Sequence, residues 1–259
     1  MGILGGCDVT IKDGDFSVAH FQGRATQEWN RKYPLAPGGR VEVVYVNGPV
    51  EVSVGPAGTV AVAAVLTTTA MTDERAKQIL SEAKIEESAT PDHIRVATVR
   101  RDRSRGPGGL QVAYKVTVPA DARVEMTANN GSLKADGVRG HLKASMVNGD
   151  VDLTGLMGTL DAASVNGSLS VKMAEVTGRM RLESMNGRIS LEVPKDTKAT
   201  LNVRSMNGRI SVTGLETQKV EGDRIRNLES VLNGGGPEID VRVTNGRITI
   251  TGVESPEAR

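Results

Sequence analysis

One phrase is written three times between Gly140 and Val193, and it limits what the chain can fold into more than any other feature. It reads HLKASMVNGDVDL from His141, TLDAASVNGSLSV from Thr159 and RMRLESMNGRISL from Arg179. Each copy is two short runs of alternating apolar and polar residues joined by Asn-Gly. A period of two is that of a strand, and it gathers the apolar side chains on one face.

Aligned on the asparagine, related copies stand at Asn47, Asn130, Asn148, Asn166, Asn186, Asn207 and Asn245, each followed by glycine (Gly48, Gly131, Gly149, Gly167, Gly187, Gly208, Gly246). From Asn130 to Asn207 the spacings are 18, 18, 20 and 21 residues. The positions six and four before the asparagine, and three and five after it, are apolar in every copy, from Val41, Val43, Val50 and Val52 in the first to Ile239, Val241, Ile248 and Ile250 in the last. One such period cannot bury its apolar face alone, whereas copies stacked in register form a continuous interior. The expected fold is therefore all-β: a single-stranded parallel β-solenoid with coils of about 18–21 residues and the Asn-Gly pairs as structural corners. Asn-Gly is also a two-residue hairpin turn, so an antiparallel meander competes. A second glycine corner of the same period (Gly140, Gly158, Gly178) favours coils.

The rest of the chain divides around this array. Residues 1–40 read as an extended leader whose WNRKYPL portion covers the first edge of the fold. The solenoid domain spans 41–253, with a divergent first part (41–120) and regular repeats from 121, and 254–259 is a tail. Residues 72–87 change period: Ala76, Ile79, Leu80 and Ala83 form one apolar face behind Thr72 as N-cap, which predicts one accessory helix that covers a sheet edge or coil end. Two strands, 93–100 and 110–118, flank the basic, Gly-rich insert RRDRSRGPGG, read as a solvated hairpin loop.

Composition removes several functions. The net charge of +1 gives no general attraction to nucleic acid or to an anionic membrane, and aromatics at 2% leave few platforms for stacking bases or sugars. A single cysteine, Cys7, excludes an internal disulfide or a cysteine zinc site. No phosphate-cradle, nucleophile-elbow or metalloprotease motif appears, His20, His93 and His141 are isolated, and the adjacent acids Asp150 and Asp152 lack converging ligands. We expect no cofactor, no metal and no catalytic residue.

Outward positions carry what chemistry there is. Five before the asparagine, Glu125, Lys143, Asp161 and Arg181 alternate in sign; three before it, Glu183 precedes Arg204. Two after it, Arg188 and Arg209 stack like on like, with Arg247 equivalent but set apart by the excursion Leu215–Gly236. These three arginines are the candidate binding strip, for an anionic polymer or a lipid headgroup. Leu4-Gly5-Gly6-Cys7 resembles the lipobox of bacterial lipoproteins, which makes Cys7 a candidate lipidation site, although the apolar stretch expected before it is missing.

The phrases VNGSLSV, SMNGRISL and SMNGRISV, with openings such as GTLDAASVNG, resemble the bacterial putative-adhesin family also called toast-rack or β-strand-repeat domains of unknown function. The resemblance covers roughly Val41–Val253. It implies a β-solenoid in cell-envelope proteins, often behind a lipoprotein signal, with no established catalytic residues. The expectation is a non-enzymatic envelope scaffold or adhesion module facing a protein or polymer partner, periplasmic or surface-exposed, with no nucleic-acid partner and membrane contact only through a lipid anchor. The alternatives are a carbohydrate-active β-helix enzyme and a self-assembling filament subunit.

Overall fold

The computed structural model describes residues 7–12, 15–20, 23–44, 47–100, 108–216 and 226–254, with side chains from Gly23 onward. In chain order the elements are β1 (Cys7–Lys12), β2 (Asp15–His20), β3 (Gly23–Pro34), β4 (Arg40–Val44), β5 (Asn47–Val54), β6 (Thr59–Ala70), α1 (Asp73–Glu82), β7 (Ala83–Ala89), β8 (His93–Arg100) and β9 (Gly108–Val118). The long strands β10 (Arg123–Asp136), β11 (His141–Leu156), β12 (Thr159–Met173), β13 (Met180–Pro194) and β14 (Ala199–Thr213) follow, and β15 (Asn227–Leu232) and β16 (Glu238–Val253) end the series. Among the described residues β1 and β2 pair only with each other, and the other strands form one long, mostly parallel sheet. An all-β chain with one helix and such a sheet has the arrangement of a solenoid.

Asn-Gly lies inside each long strand, not between two strands. Asn130 faces Asn148, Asn148 faces Asn166, and Asn166 faces Asn186, with the flanking residues in the same parallel register. This excludes the antiparallel meander for the array. The four apolar columns are buried throughout, except that Val212 is half-buried. Val138, Leu156 and Val176, from the segments beyond the second half-strand, are buried in the same core. Each fully buried Val, Leu or Ile contributes roughly 1.5–3 kcal/mol, so the columns hold the rungs together.

The stack does not follow chain order at its C-terminal end. The sequence of rungs is β10-β11-β12-β13-β16-β14, with β15 antiparallel on the outer side of β14. The final strand thus occupies a slot between two rungs that are consecutive in sequence. Because β13 and β14 share the phrase SMNGRIS and the same apolar columns, either accepts β16 as neighbour.

At the other end the sheet forks at the Asn-Gly position. The first half of β10 pairs with β4 and the second half with β5. β8 continues the first branch and β9 the second, both in parallel. β8 and β9 are therefore the two halves of one further rung and do not pair with each other, which corrects the hairpin reading of the insert between them; residues 101–107 of that insert lie outside the described residues. A buried hydrogen bond between the hydroxyls of Thr98 and Tyr114 (2.6 Å) links the two halves. β7 closes one branch, and β6 followed by β3 closes the other, all antiparallel. Gly23–Pro34, inside the stretch read as a leader, is thus an edge strand in full register with β6.

α1 is shorter than its sequence pattern suggests. Thr72 caps it by accepting from the Arg75 amide (3.2 Å), and Ala76 and Ile79 are buried with Ala70. Helical geometry stops at Glu82, and residues 83–87, expected to be helical, belong to β7. Ala83 and Ile85 fit a period of two as well as one of 3.6. Pairing with the open edge of β8 decides between them, a tertiary override of local propensity.

Candidate functional site

The corner shared by the rungs is built from two columns, one of asparagine and one of glycine. Seven asparagine side chains form one ladder in which each Nδ2 donates to the Oδ1 of the next. Asn130 donates to Asn47 (2.6 Å), Asn148 to Asn130 (3.0 Å), Asn166 to Asn148 (2.9 Å), Asn186 to Asn166 (3.1 Å), Asn245 to Asn186 (2.9 Å) and Asn207 to Asn245 (3.0 Å). Beside it the glycines touch backbone to backbone. A Cβ on Gly149 would lie 1.9 Å from the Gly131 carbonyl oxygen, and one on Gly167 2.0 Å from that of Gly149. Both residues also have φ near +137°, where only glycine is unstrained.

Two residues beyond each asparagine is an outward column: Ser132, Asp150, Ser168, Arg188, Arg247, Arg209 in spatial order. The structure brings all three predicted arginines together, but not in the predicted order. Arg188 and Arg209 are not neighbours; Arg247 stands between them, because β16 fills the slot between β13 and β14. Successive guanidinium-bearing residues are one rung apart, about 4.8 Å. All three are exposed, and among the described residues none makes an ion pair. They line one open hollow of about 770 Å3 with Ser168, and its floor is the glycine column.

The same insertion rearranges the column three before the asparagine. Glu183 faces Arg242, not Arg204, and Arg242 in turn faces Arg204. That like-charged contact is relieved within and beyond the rungs: Arg242 pairs with Asp240 (2.6 Å) and Arg204 with Glu229 of β15 (3.4 Å). Five before the asparagine the alternation Glu125, Lys143, Asp161, Arg181 holds rung by rung and extends to Asp240. The Arg181 guanidinium donates two hydrogen bonds to Glu183, and these bonds together with the negative charge of that carboxylate hold it in its charged form.

A second feature of the corner was not singled out from the sequence. Immediately before the asparagine, Val147, Val165, Met185 and Met206 form an outward apolar stripe. Val147, Met185 and Met206 are 39%, 52% and 67% exposed. They share a hollow of about 690 Å3 with Thr244 of the inserted rung. The signal was present as four apolar residues at one outward position. It was masked because the buried columns on either side are apolar too. One residue earlier, Ser164, Ser184 and Ser205 are buried with no hydrogen-bond partner for their hydroxyls.

The remaining candidates do not converge. Cys7 opens β1, its backbone opposite His20; Leu4-Gly5-Gly6 lies outside the described residues. Asp150 accepts from the Ser168 amide (2.9 Å), while Asp152 sits between Lys134 and Ser170. His141 bonds the Thr159 hydroxyl (2.7 Å) and His93 lies 3.5 Å from Glu42. Among the described residues no three His, Cys, Asp or Glu side chains are grouped to hold a metal ion, and no helix is long and apolar enough to cross a membrane.

A forked parallel stack with its chemistry on outward columns defines a β-strand-repeat module. Its sequence matches the model of the Toastrack DUF4097 family over residues 9–251, and the chain belongs to that family. No curated protein matches it. Among solved structures it is similar to a putative cell adhesion protein from Clostridium sporogenes, at 12% identity and TM-score 0.45, covering 88% of this chain and 100% of that one. It is also similar to a putative adhesin from Bacteroides fragilis, at 11% identity and TM-score 0.41, covering 88% of this chain and 97% of that one.

Proposed function

We propose that this chain is a non-enzymatic cell-envelope module, a β-solenoid of coils of about 18–21 residues that presents flat repeated faces to a protein or polymer partner, as a scaffold or in adhesion. The observation that supports it most is the in-register stack: outward columns recur at the strand spacing of about 4.8 Å, held by the asparagine ladder and by glycine contacts too close to admit a Cβ. Such a surface is preorganised, so binding requires little ordering of the protein. Membership of the Toastrack DUF4097 family agrees with a repeated β-strand module, and a lipid on Cys7 would supply the anchor.

Fractionation of the native host with crosslinking tests it. The chain should sediment with the envelope, and its crosslinks should map to outward lysines such as Lys143 and Lys172. Recovery in the soluble cytoplasmic fraction, with no reproducible crosslinks on those columns, would refute the proposal.

A further inference from the structure

The two outward features of the corner occur on the same rungs, and together they carry an inference that neither carries alone. β13 presents Met185 and Arg188, and β14 presents Met206 and Arg209. In each, only Asn-Gly separates the apolar residue from the arginine. The inserted β16 adds Arg247 between the two arginines and Thr244 to the apolar hollow. Val147 and Val165 extend the apolar stripe along the stack.

In water both features are unfavourable. Three like charges at rung spacing repel one another, and clustered exposed methionine and valine leave apolar area in solvent. We propose that this edge of the solenoid docks on an anionic lipid surface. The arginine column takes the headgroups, while the Met185, Met206 and Val147 side chains enter the boundary beneath them. One occupant then relieves both costs. A soluble polyanion would neutralise the arginines and leave the methionines wet. A nucleic acid would find no aromatic side chain in either hollow on which to stack a base. The carboxylate that lines the apolar hollow, Glu183, is engaged by Arg181 (2.7 Å), so it does not face the lipid unpaired. Arginine suits the role because its guanidinium stays charged and binds phosphate through two parallel hydrogen bonds.

The inference rests on the envelope reading for the presence of a membrane, but it can be tested apart from it. Purified protein is co-sedimented with vesicles of roughly equal parts phosphatidylglycerol and phosphatidylcholine, and with phosphatidylcholine alone. Binding to the first and not to the second is expected, weakening as salt is raised. R188S/R209S/R247S should lower partitioning by about a hundredfold, and M185S/M206S by about tenfold or more with the preference for anionic vesicles kept. All five side chains are exposed, and matching thermal melts establish that the variants remain folded. No binding at low salt, or equal binding by wild type and both variants, overturns the proposal. So does loss of binding with the arginine variant alone together with full competition by inorganic polyphosphate, which would make the edge a polyanion site. Crosslinking of an envelope protein at Met185 or Met206 without vesicle binding would make it a protein-docking edge and overturn it as well. Soluble fractionation in the host with vesicle binding intact would count against the envelope reading alone.

Discussion

Alanine placed in the glycine column separates the two reasons for glycine there. A Cβ on Gly187 would meet the Gly167 carbonyl oxygen at 1.9 Å, although Gly187 is not in the left-handed region; Gly167 has φ +137° and a Cβ position 2.0 Å from the Gly149 oxygen. Gly38, with φ +67° and nothing within 4 Å, is the control for strain alone. Strain costs about 1 kcal/mol for Gly38→Ala. At Gly187 the rungs must part by more than an ångström, losing two backbone bonds and stretching the asparagine bonds on each side, about 3–5 kcal/mol in all. Gly167→Ala adds the strain and should cost about 4–6 kcal/mol. Urea unfolding midpoints measure the order Gly38 < Gly187 < Gly167, and hydrogen exchange locates the loosened rungs. If Gly187→Ala stays within about 0.5 kcal/mol of wild type, close approach does not hold the corner. If Gly38→Ala costs as much as Gly187→Ala, close approach at the corner is worth no more than the strain at one exposed turn.

Three further outcomes follow from the same geometry. Asn166 makes two ladder bonds and Asn207 one, so Asn166→Ala should destabilise by about 2 kcal/mol and Asn207→Ala by about 1; equal losses in denaturant titration would show that the ladder does not act bond by bond. Ser184→Ala removes a buried hydroxyl without a partner and should raise stability by about 1 kcal/mol, whereas a lower melting temperature would reveal a bond to that hydroxyl. Burial pushes the Tyr114 hydroxyl from 10.0 up to about 12. The folded value is the higher one, so this contribution is complete below pH 10 and is lost as pH rises from 10 to 12, worth about 3 kcal/mol. Ultraviolet titration against Tyr114→Phe checks it, and ionisation near pH 10 with the fold intact would contradict the burial argument.

Much of the candidate site was legible because it is periodic. Arg188, Arg209 and Arg247 share one offset from Asn-Gly, and a parallel stack brings equal offsets together. The apolar stripe shares an offset as well, but an outward Met185 cannot be told from an inward Leu182 until the side of the strand is known. The buried serines were hidden for the opposite reason, since Ser184 looks like a solvent-facing residue and lies inward.

By itself, the sequence determined the frame of each rung: the four apolar columns that point inward, where the strand turns, and why asparagine and glycine stand at the turn. These are properties of one period, set by alternation and by backbone sterics. Tertiary structure alone decided which rung lies beside which. β13, β14 and β16 carry interchangeable columns, so local pattern cannot rank their contacts, and placing β15 on the outer edge of β14 leaves β16 the slot that puts Arg247 between Arg188 and Arg209. The same holds at the fork, where β7 and β8 complete each other's hydrogen bonds and end the helix at Glu82. An open strand edge is satisfied by whichever segment reaches it, and that is a property of the assembled sheet.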